Sequence, residues 1–327
     1  MTVSIIIAVK TWQKNLEECV AKCLELDYPD FEIIILPDVD IRTLAAVDRI
    51  LGIHGVKVIP TGPVSPAQKR DMALGHAKGD ILAFIDDDAF PQKDWLKKAM
   101  SNFNDTSVAA VGGPAVTADN DTLKQKASGL VYSSALVSAR YVYRYLPGKK
   151  RDVDDYPSCN FLIRKSIMQA LGGFNTDFWP GEDTKLCLEI TKKLGKKIAY
   201  DPEVKVFHHR RPLFLPHLKQ IASYALHRGY FVKRYPQTSM RLPYFIPTLF
   251  LLSIIMGAAL SIFMIPFRMA YFLALVSYIL LVLIFSISKE LRFIPYVFCG
   301  IILTHVTYGF YFIKGLLAKE LAEDKSI

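Results

Sequence analysis

The stretch ILAFIDDDAFP, Ile81 to Pro91, places three consecutive carboxylates directly after an apolar run that reads as a buried strand. Asp86, Asp87 and Asp88 repel one another, and packing gains nothing from such a cluster. A positive charge is the physical reason to hold them together, and a bound divalent cation, Mn2+ or Mg2+, supplies one. On a strand-to-loop turn such carboxylates give one or two oxygens to the ion, while substrate phosphates and water complete its shell. Asp86 and Asp88 project to the same side if the backbone there stays extended. The competing reading is a solvated acidic turn, favoured by Pro91 and by a helix start near Asp94.

Upstream, VSIIIAV (Val3 to Val9) and FEIIILPD (Phe31 to Asp38) are short apolar runs rich in β-branched residues, with a helical pattern from Asn15 to Leu26 between them. A third strand is expected over Val56 to Ile59. A helix from Pro66 to Ala77, stopped at Gly79, precedes the strand Ile81 to Ile85. This alternation predicts an α/β fold with a mostly parallel sheet covered on both faces. Ligands of such sheets gather beyond the carboxyl ends of the strands. Asp38 ends the second strand and the Asp86 to Asp88 cluster ends the fourth, which describes a nucleotide-binding crevice at neighbouring strand ends. No GxGxxG or Walker sequence is present to cradle phosphates, so a metal must do much of the neutralising.

The 327 residues are 51% hydrophobic, and the excess is concentrated between Tyr244 and Ile313. Three candidate membrane spans follow: Tyr244 to Phe267, Met269 to Ile287 and Phe293 to Ile313. Each holds the roughly 20 apolar residues that cross a hydrocarbon core. A soluble helical hairpin is the bland alternative. VSIIIAV has no basic region before it and no small-residue cleavage site after it, so it reads as a strand and the part before the spans is expected in the cytoplasm. Arg228, Lys233, Arg234 and Arg241, just before the first span, agree by the positive-inside rule. Three spans put the C-terminus outside, against the pull of Lys314, Lys319 and Lys325, unless one segment is re-entrant or interfacial.

Leu218 to Tyr235 has helical spacing of apolar residues and basic residues near its end, as an interfacial helix does; core packing is the alternative. The net charge of +9 comes without a recognisable nucleic-acid motif, which points to an anionic leaflet or a phosphate-bearing substrate. Five cysteines without paired spacing read as reduced thiols.

Two further motifs carry chemistry. In Asn160 to Ile190, Gly172-Gly173-Phe174 forms a turn, and Pro180-Gly181-Glu182-Asp183 starts a helix. Acidic residues there complement the helix dipole, which is their bland explanation. VFHHRRP, Val206 to Pro212, follows an expected strand Ile198 to Val206 and could pair with pyrophosphate oxygens or form a surface turn. Adjacent histidines diverge in a strand and chelate poorly together.

In order and spacing these pieces resemble the family 2 glycosyltransferases of GT-A fold. The matching pieces are VSIIIAV, EIIILPD, KRDMALGHAKGDILAFIDDDAFPQKDWL, Gly112 to Pro114, CNFLIRKS, GGFNTDFWPGED and the strand before HHRR. The resemblance implies that Asp38 contacts the nucleotide base, with Ala8, Val9 and Lys10 lining the same pocket. It gives Asp86 and Asp88 the DxD role toward diphosphate and metal, with Asp87 between them. Asp183 becomes the general base, with Glu182 as its substitute or orienter. Lys69, Arg70 and Arg210 are the cations implied at the diphosphate.

The donor so implied is a nucleotide-diphosphate sugar, UDP-linked by default, and single displacement inverts the anomeric centre. The chain departs from the family in reading Ala8-Val-Lys-Thr-Trp12 where Pro-x-Tyr-Asn is usual, in having Asp71 for Asn, and in lacking QxxRW. The last departure favours transfer of one sugar over polymerisation. The expected organisation is a GT-A domain over 1–212, an amphipathic interfacial helix over 213–243 and a multi-pass membrane domain over 244–327 of the cell membrane. The acceptor is then a lipid-linked or membrane-proximal saccharide. Transfer to a polyprenyl phosphate and, from another class, metal-dependent nucleotidyl transfer are the alternatives.

Overall fold

β1 (Val3–Ala8) and β2 (Phe31–Leu36) lie parallel and in register, from Val3 beside Phe31 to Ala8 beside Leu36. Their β-branched residues suit a strand covered on both faces, and nearly all are buried. Between them α1 (Lys14–Leu24) turns Leu16, Cys19, Val20 and Cys23 inward, the spacing of one helix face. The computed structural model describes residues 1–45, 47, 51, 53 and 55–323. Lys325 lies outside them.

The main sheet continues with β3 (Val56–Val58), β4 (Ile81–Ile85), β6 (Val108–Gly112), β8 (Arg151–Val153), β9 (Asn160–Arg164) and β10 (Lys197–Tyr200). Its order is β3-β2-β1-β4-β9-β6-β10-β8. β1, β2, β3 and β4 are mutually parallel, as is β6 with β10, while β9 runs antiparallel between β4 and β6. Asp38 and the aspartate cluster thus follow β2 and β4, which flank β1 and do not adjoin each other. Because β9 is antiparallel, its first residue, Asn160, stands beside Ile85 at the carboxyl end of β4. There the buried Asn160 amide donates to the carbonyls of Gly113 (2.6 Å) and Val204 (2.8 Å) and accepts from Trp95 (2.9 Å), so its polar atoms are matched.

A small second sheet joins β5 (Ala89–Pro91), β11 (Val206–His208) and β7 (Ala115–Thr117) in the order β5-β11-β7. The single strand expected over Ile198 to Val206 is therefore two strands. The turn between them is built by Asp201, which accepts from the Glu203 amide at 3.0 Å and from Asn102 at 2.9 Å. Asp201-Pro202 supplies the break.

Two units divide the chain: Met1–Val116 and Tyr143–His209 with the chain end from Ala322, and Thr117–Val142 with Arg210–Leu321. The remaining helices of the first are α2 (Pro66–Ala73), α3 (Trp95–Asn102), α5 (Lys165–Leu171) and α6 (Glu182–Leu188). α2 starts on a capping box in which Ser65 and Gln68 exchange bonds, with Pro66 at its first position, and it ends at Ala73, short of Ala77. The second unit holds α4 (Leu123–Ser133), α7 (Leu215–Arg234), α8 (Leu242–Phe263), α9 (Ile265–Ser286) and α10 (Ile294–Leu317). Segments Leu242–Phe263, Phe267–Ser286 and Leu291–Leu317 are long and apolar enough to cross a membrane, with mean hydropathies of 2.2, 2.4 and 1.5. α7 buries His217, Ile221, Ala225 and Phe231, so one face of this helix is packed against protein.

Candidate active site

α2 carries two cations inward, which an amphipathic surface helix would not do. Lys69 and Arg70 are 2% and 3% exposed. Buried cations of this kind persist only when paired and hydrogen-bonded. Lys69 donates to the Asp38 carboxylate, to the Val9 carbonyl and, at 3.2 Å, to the Leu36 carbonyl. The Asp38 amide in turn donates to the Lys10 carbonyl at 2.9 Å. Ala8, Val9, Lys10, Asp38 and Lys69 thus form one constellation at the ends of β1 and β2.

Arg70 extends the other way. Its Nη2 donates to Asp86 Oδ1 at 2.8 Å and its Nη1 to Glu182 Oε1 at 3.0 Å. The guanidinium carbon lies 5.9 and 5.7 Å from the ring centres of Phe84 and Phe174, so the cation is held over aromatic rings as well. Nε has no hydrogen-bond partner among the described residues.

The aspartates converge through a tight turn and not through extended backbone, the Ala89 amide donating to the Asp86 carbonyl at 3.1 Å. Asp88 Oδ1 lies 2.9 Å from His208 Nε2. One ligand atom each from Asp86, Asp88 and His208 fall within 4.8 Å of one another, close enough for a shared cation. Asp87 points elsewhere and accepts from Gln13. Burial, together with the charges of Asp88 and Asp86, pushes Asp87 up to about 7. Burial also raises Asp86, against the opposing pull of Arg70. Burial is the main cause of both shifts, and a divalent cation bound there would oppose it. Two carboxylates and an imidazole fit a divalent cation.

The Glu182-Asp183 pair opens α6. Its loop is anchored by Asp71, which accepts from the Phe174 amide at 2.7 Å and the Asn175 amide at 3.1 Å. Gly173 has φ +89°, and a Cβ there would run into the Asp71 carboxylate, so the Gly-Gly turn and Asp71 are matched. Glu182, 4% exposed, is committed to Arg70 and accepts the Gly181 amide at 3.0 Å. Asp183 is partly exposed, one oxygen accepting the Thr184 amide at 2.7 Å.

Most of the sequence candidates therefore meet through Lys69 and Arg70. Arg210 belongs to the second unit, where its amide donates to Asp121 at 3.0 Å and its Nε to Thr117 at 3.3 Å. The sequence reading left out His208. Adjacent histidines do diverge, with His209 turning to Glu18 at 2.9 Å, but that divergence is what frees His208 to join Asp88 alone. Only the pairing of its strand with β5, which sets His208 opposite Ala89 just after the aspartates, brings it to the site.

The fold is similar to that of a mannosyltransferase, PcManGT from Pyrobaculum calidifontis, solved with GDP-Man and Mn2+, at TM-score 0.57 and 21% identity over 97% of this chain and 88% of that one. Among relatives, a pre-mycofactocin glycosyltransferase of Mycobacterium tuberculosis is 30% identical over 149 residues, 45% of this chain, which spans only 30% of that relative's length. A glucosyl-dolichyl phosphate glucuronosyltransferase of Haloferax volcanii is 21% identical over 225 residues, 64% of this chain and 69% of the relative. The model of glycosyl transferase family 2 matches residues 4–172 of the 327, from β1 through the aspartate turn to Gly172, and the chain belongs to that family.

Proposed function

We propose that the chain moves one sugar from a nucleotide-diphosphate donor to a hydroxyl of a lipid-linked or membrane-proximal saccharide, with inversion, on the cytoplasmic face of the cell membrane. The observation that carries this is the Lys69-Arg70 pair, which ties Asp38, the Asp86-Asp88-His208 cluster and Glu182 beside Asp183 into one constellation. In this reading Asp38 accepts a hydrogen bond from the base, since its other oxygen is committed to Lys69. A cation bound by Asp86, Asp88 and His208 would neutralise charge on the departing diphosphate.

Asp183 is the partly exposed carboxylate of the pair and takes the acceptor proton as the hydroxyl oxygen attacks the anomeric carbon. The bond to the diphosphate oxygen breaks on the opposite face, and the nucleoside diphosphate leaves with the electron pair. Glu182 holds Arg70 and does not take the proton. The organisation of 1–212, 213–243 and 244–327 as catalytic, interfacial and membrane parts goes with this reading. A UDP-sugar is the first donor to try and GDP-sugars the second, since a fold neighbour was solved with GDP-Man and another, GalNAc-T7 (TM-score 0.52, 16% identity), with UDP, GalNAc and Mn2+.

The test is a screen of UDP-, GDP- and dTDP-sugars against detergent-purified protein with Mn2+ or Mg2+, read by thermal stabilisation and slow nucleoside diphosphate release. Stabilisation by one nucleotide sugar that needs the metal and vanishes in Asp88→Ala supports the proposal. Binding indifferent to both metal and Asp88 overturns it. The Haloferax relative is named for transfer to glucosyl-dolichyl phosphate, a lipid-linked saccharide, which supports the acceptor class proposed here. A bare polyprenyl phosphate acceptor is already ionised and needs no base, so tolerance of Asp183→Asn would point to it instead. Family membership leaves nucleotidyl transfer without support.

A further inference from the structure

Contacts within the second unit decide how its long helices lie, and they do not fit three spans side by side. α8 approaches α10 antiparallel: Phe245 packs edge-on to Phe312 (5.0 Å between ring centres), Thr248 donates to the Gly309 carbonyl at 3.2 Å, and the Phe250 ring is 5.9 Å from His305. α9 is also antiparallel to α10, since Tyr278 meets His305 at 3.0 Å and Val282 shares an apolar cluster with Val297 and Ile301. α8 and α9 are antiparallel to each other: Phe250 lies 4.3 Å from Tyr278, Tyr271 donates to the Ile254 carbonyl at 2.9 Å, and Arg268 donates to the Ser261 carbonyl at 2.9 Å. Three helices aligned on one axis cannot be antiparallel in every pair. The α8-α9 hairpin therefore crosses α10 and does not run along it.

α7, by contrast, follows α10 in the same direction. His217 meets Thr304 at 3.0 Å, Gly229 faces the Phe312 carbonyl, Gly315 faces the Leu226 carbonyl, and Lys233 donates to the Ala318 carbonyl. Glycine at these crossings lets the two backbones approach closely. α7 brings Lys219, Arg228, Lys233 and Arg234 alongside, of which Lys219, Lys233 and Arg234 are exposed. The N-terminal half of α10 is covered by Ala127 and Val131 of α4, whose Lys124 is exposed. Exposed ammonium and guanidinium groups do not sit at the depth of acyl chains, so the helix they flank cannot be there either. Burial separates the helices in the same way: the apolar windows of α8 and α9 are each 11% buried, that of α10 39%. α10 exposes a stripe at helical spacing, with Leu303, Val306, Phe310 and Leu317, as an amphipathic in-plane helix does.

We propose that α10 lies on the bilayer surface beside α7, and that the α8-α9 hairpin alone enters the membrane, passing through and back. Segments before Leu242 and after Ser286 then face the same side. The partner is an anionic lipid surface, met by Lys219, Arg228, Lys233, Arg234 and Lys314 at headgroup depth. Each hairpin helix has 22 residues. At 1.5 Å per residue that is about 33 Å, enough for one crossing. The arrangement also places Lys314 and Lys319 on the face where the basic residues before α8 lie.

The proposal rests on reading Leu242–Leu317 as a membrane anchor, and its test does not use activity, so it fails separately from the transferase reading. With Cys159 and Cys299, the two native thiols that are not buried, changed to serine, single cysteines are placed as Met264→Cys, Ser288→Cys or Lys319→Cys. A membrane-impermeant maleimide is applied to intact cells and to inverted vesicles. Ser288→Cys and Lys319→Cys are expected to label from one face, and Met264→Cys, at the hairpin tip, from the other. Labelling of Ser288→Cys and Lys319→Cys from opposite faces overturns the proposal, because α10 then spans. Labelling of all three from one face overturns it too, because the hairpin then does not cross.

Discussion

Arg70 Nη1 lies 3.0 Å from Glu182 Oε1, and the two side chains are only 4% and 6% exposed. This joins α2 to the start of α6 across 112 residues of sequence. It also sets the adjacent acids apart, because Glu182 is buried against Arg70 while Asp183 is partly exposed. Glu182→Gln leaves Arg70 short of a counter-charge and is expected to cost about 3–5 kcal/mol of stability. The denaturant midpoint checks it; an unchanged midpoint means the pair is not a structural tie.

Asp183→Asn should behave oppositely. It removes the proposed base and keeps the Arg70-Glu182 hydrogen bond, so the midpoint should move less than in Glu182→Gln while kcat falls by roughly 10²–10⁴. Donor KM should hold. Single-turnover transfer to a hydroxyl acceptor is the measurement, and near-normal rates would assign the base elsewhere.

The cation site can be read apart from chemistry. His208→Ala removes an imidazole 2.9 Å from Asp88 while leaving both carboxylates. Mn2+ affinity, titrated by calorimetry in the presence of donor nucleotide, should weaken by at least the roughly 10–100-fold that losing a supporting contact costs at metal sites. Asp87→Asn, which leaves all three candidate ligands in place, should bind Mn2+ within a few-fold of the parent. Equal losses in the two variants would mean that charge and not coordination matters.

Acid should loosen the second unit through His217. Its ring sits between Ser128 (2.8 Å) and Thr304 (3.0 Å), and burial pushes it down to about 4. The unfolded chain takes this proton near pH 6.5, whereas the folded one resists until about 4. Stability is therefore lost as pH falls through that window, by up to about 3 kcal/mol. Melting curves from pH 7 to 4.5 should show the slope, and His217→Gln should flatten it.

What the sequence shows and hides follows from range of interaction. The strands Val3–Ala8, Phe31–Leu36 and Ile81–Ile85 are legible because burial on both faces writes itself as continuous apolar runs. The aspartate turn is legible because like charges in a row need a cause. The antiparallel insertion of β9 is not, since nothing local in NFLIR distinguishes its direction. His208 is hidden for the same reason, its partner lying 120 residues away. Lys69 and Arg70 looked like cations for a diphosphate, and only the fold shows them already paired with Asp38, Asp86 and Glu182. The crossing of α8-α9 over α10 is invisible in hydropathy, which reports length and composition but not direction.

Lys69 holds its positive charge beneath Asp38, with carbonyls of Val9 and Leu36 as its other acceptors. The charges of Asp38 and Lys69 cancel within that pair before any donor arrives, whereas the Asp86-Asp88 end is negative. Ionic strength should therefore tell the two ends of a donor apart. A nucleoside binding beside Asp38 gains little from long-range attraction and should ignore salt, whereas the diphosphate, entering together with its counter-ion, should feel every millimolar added.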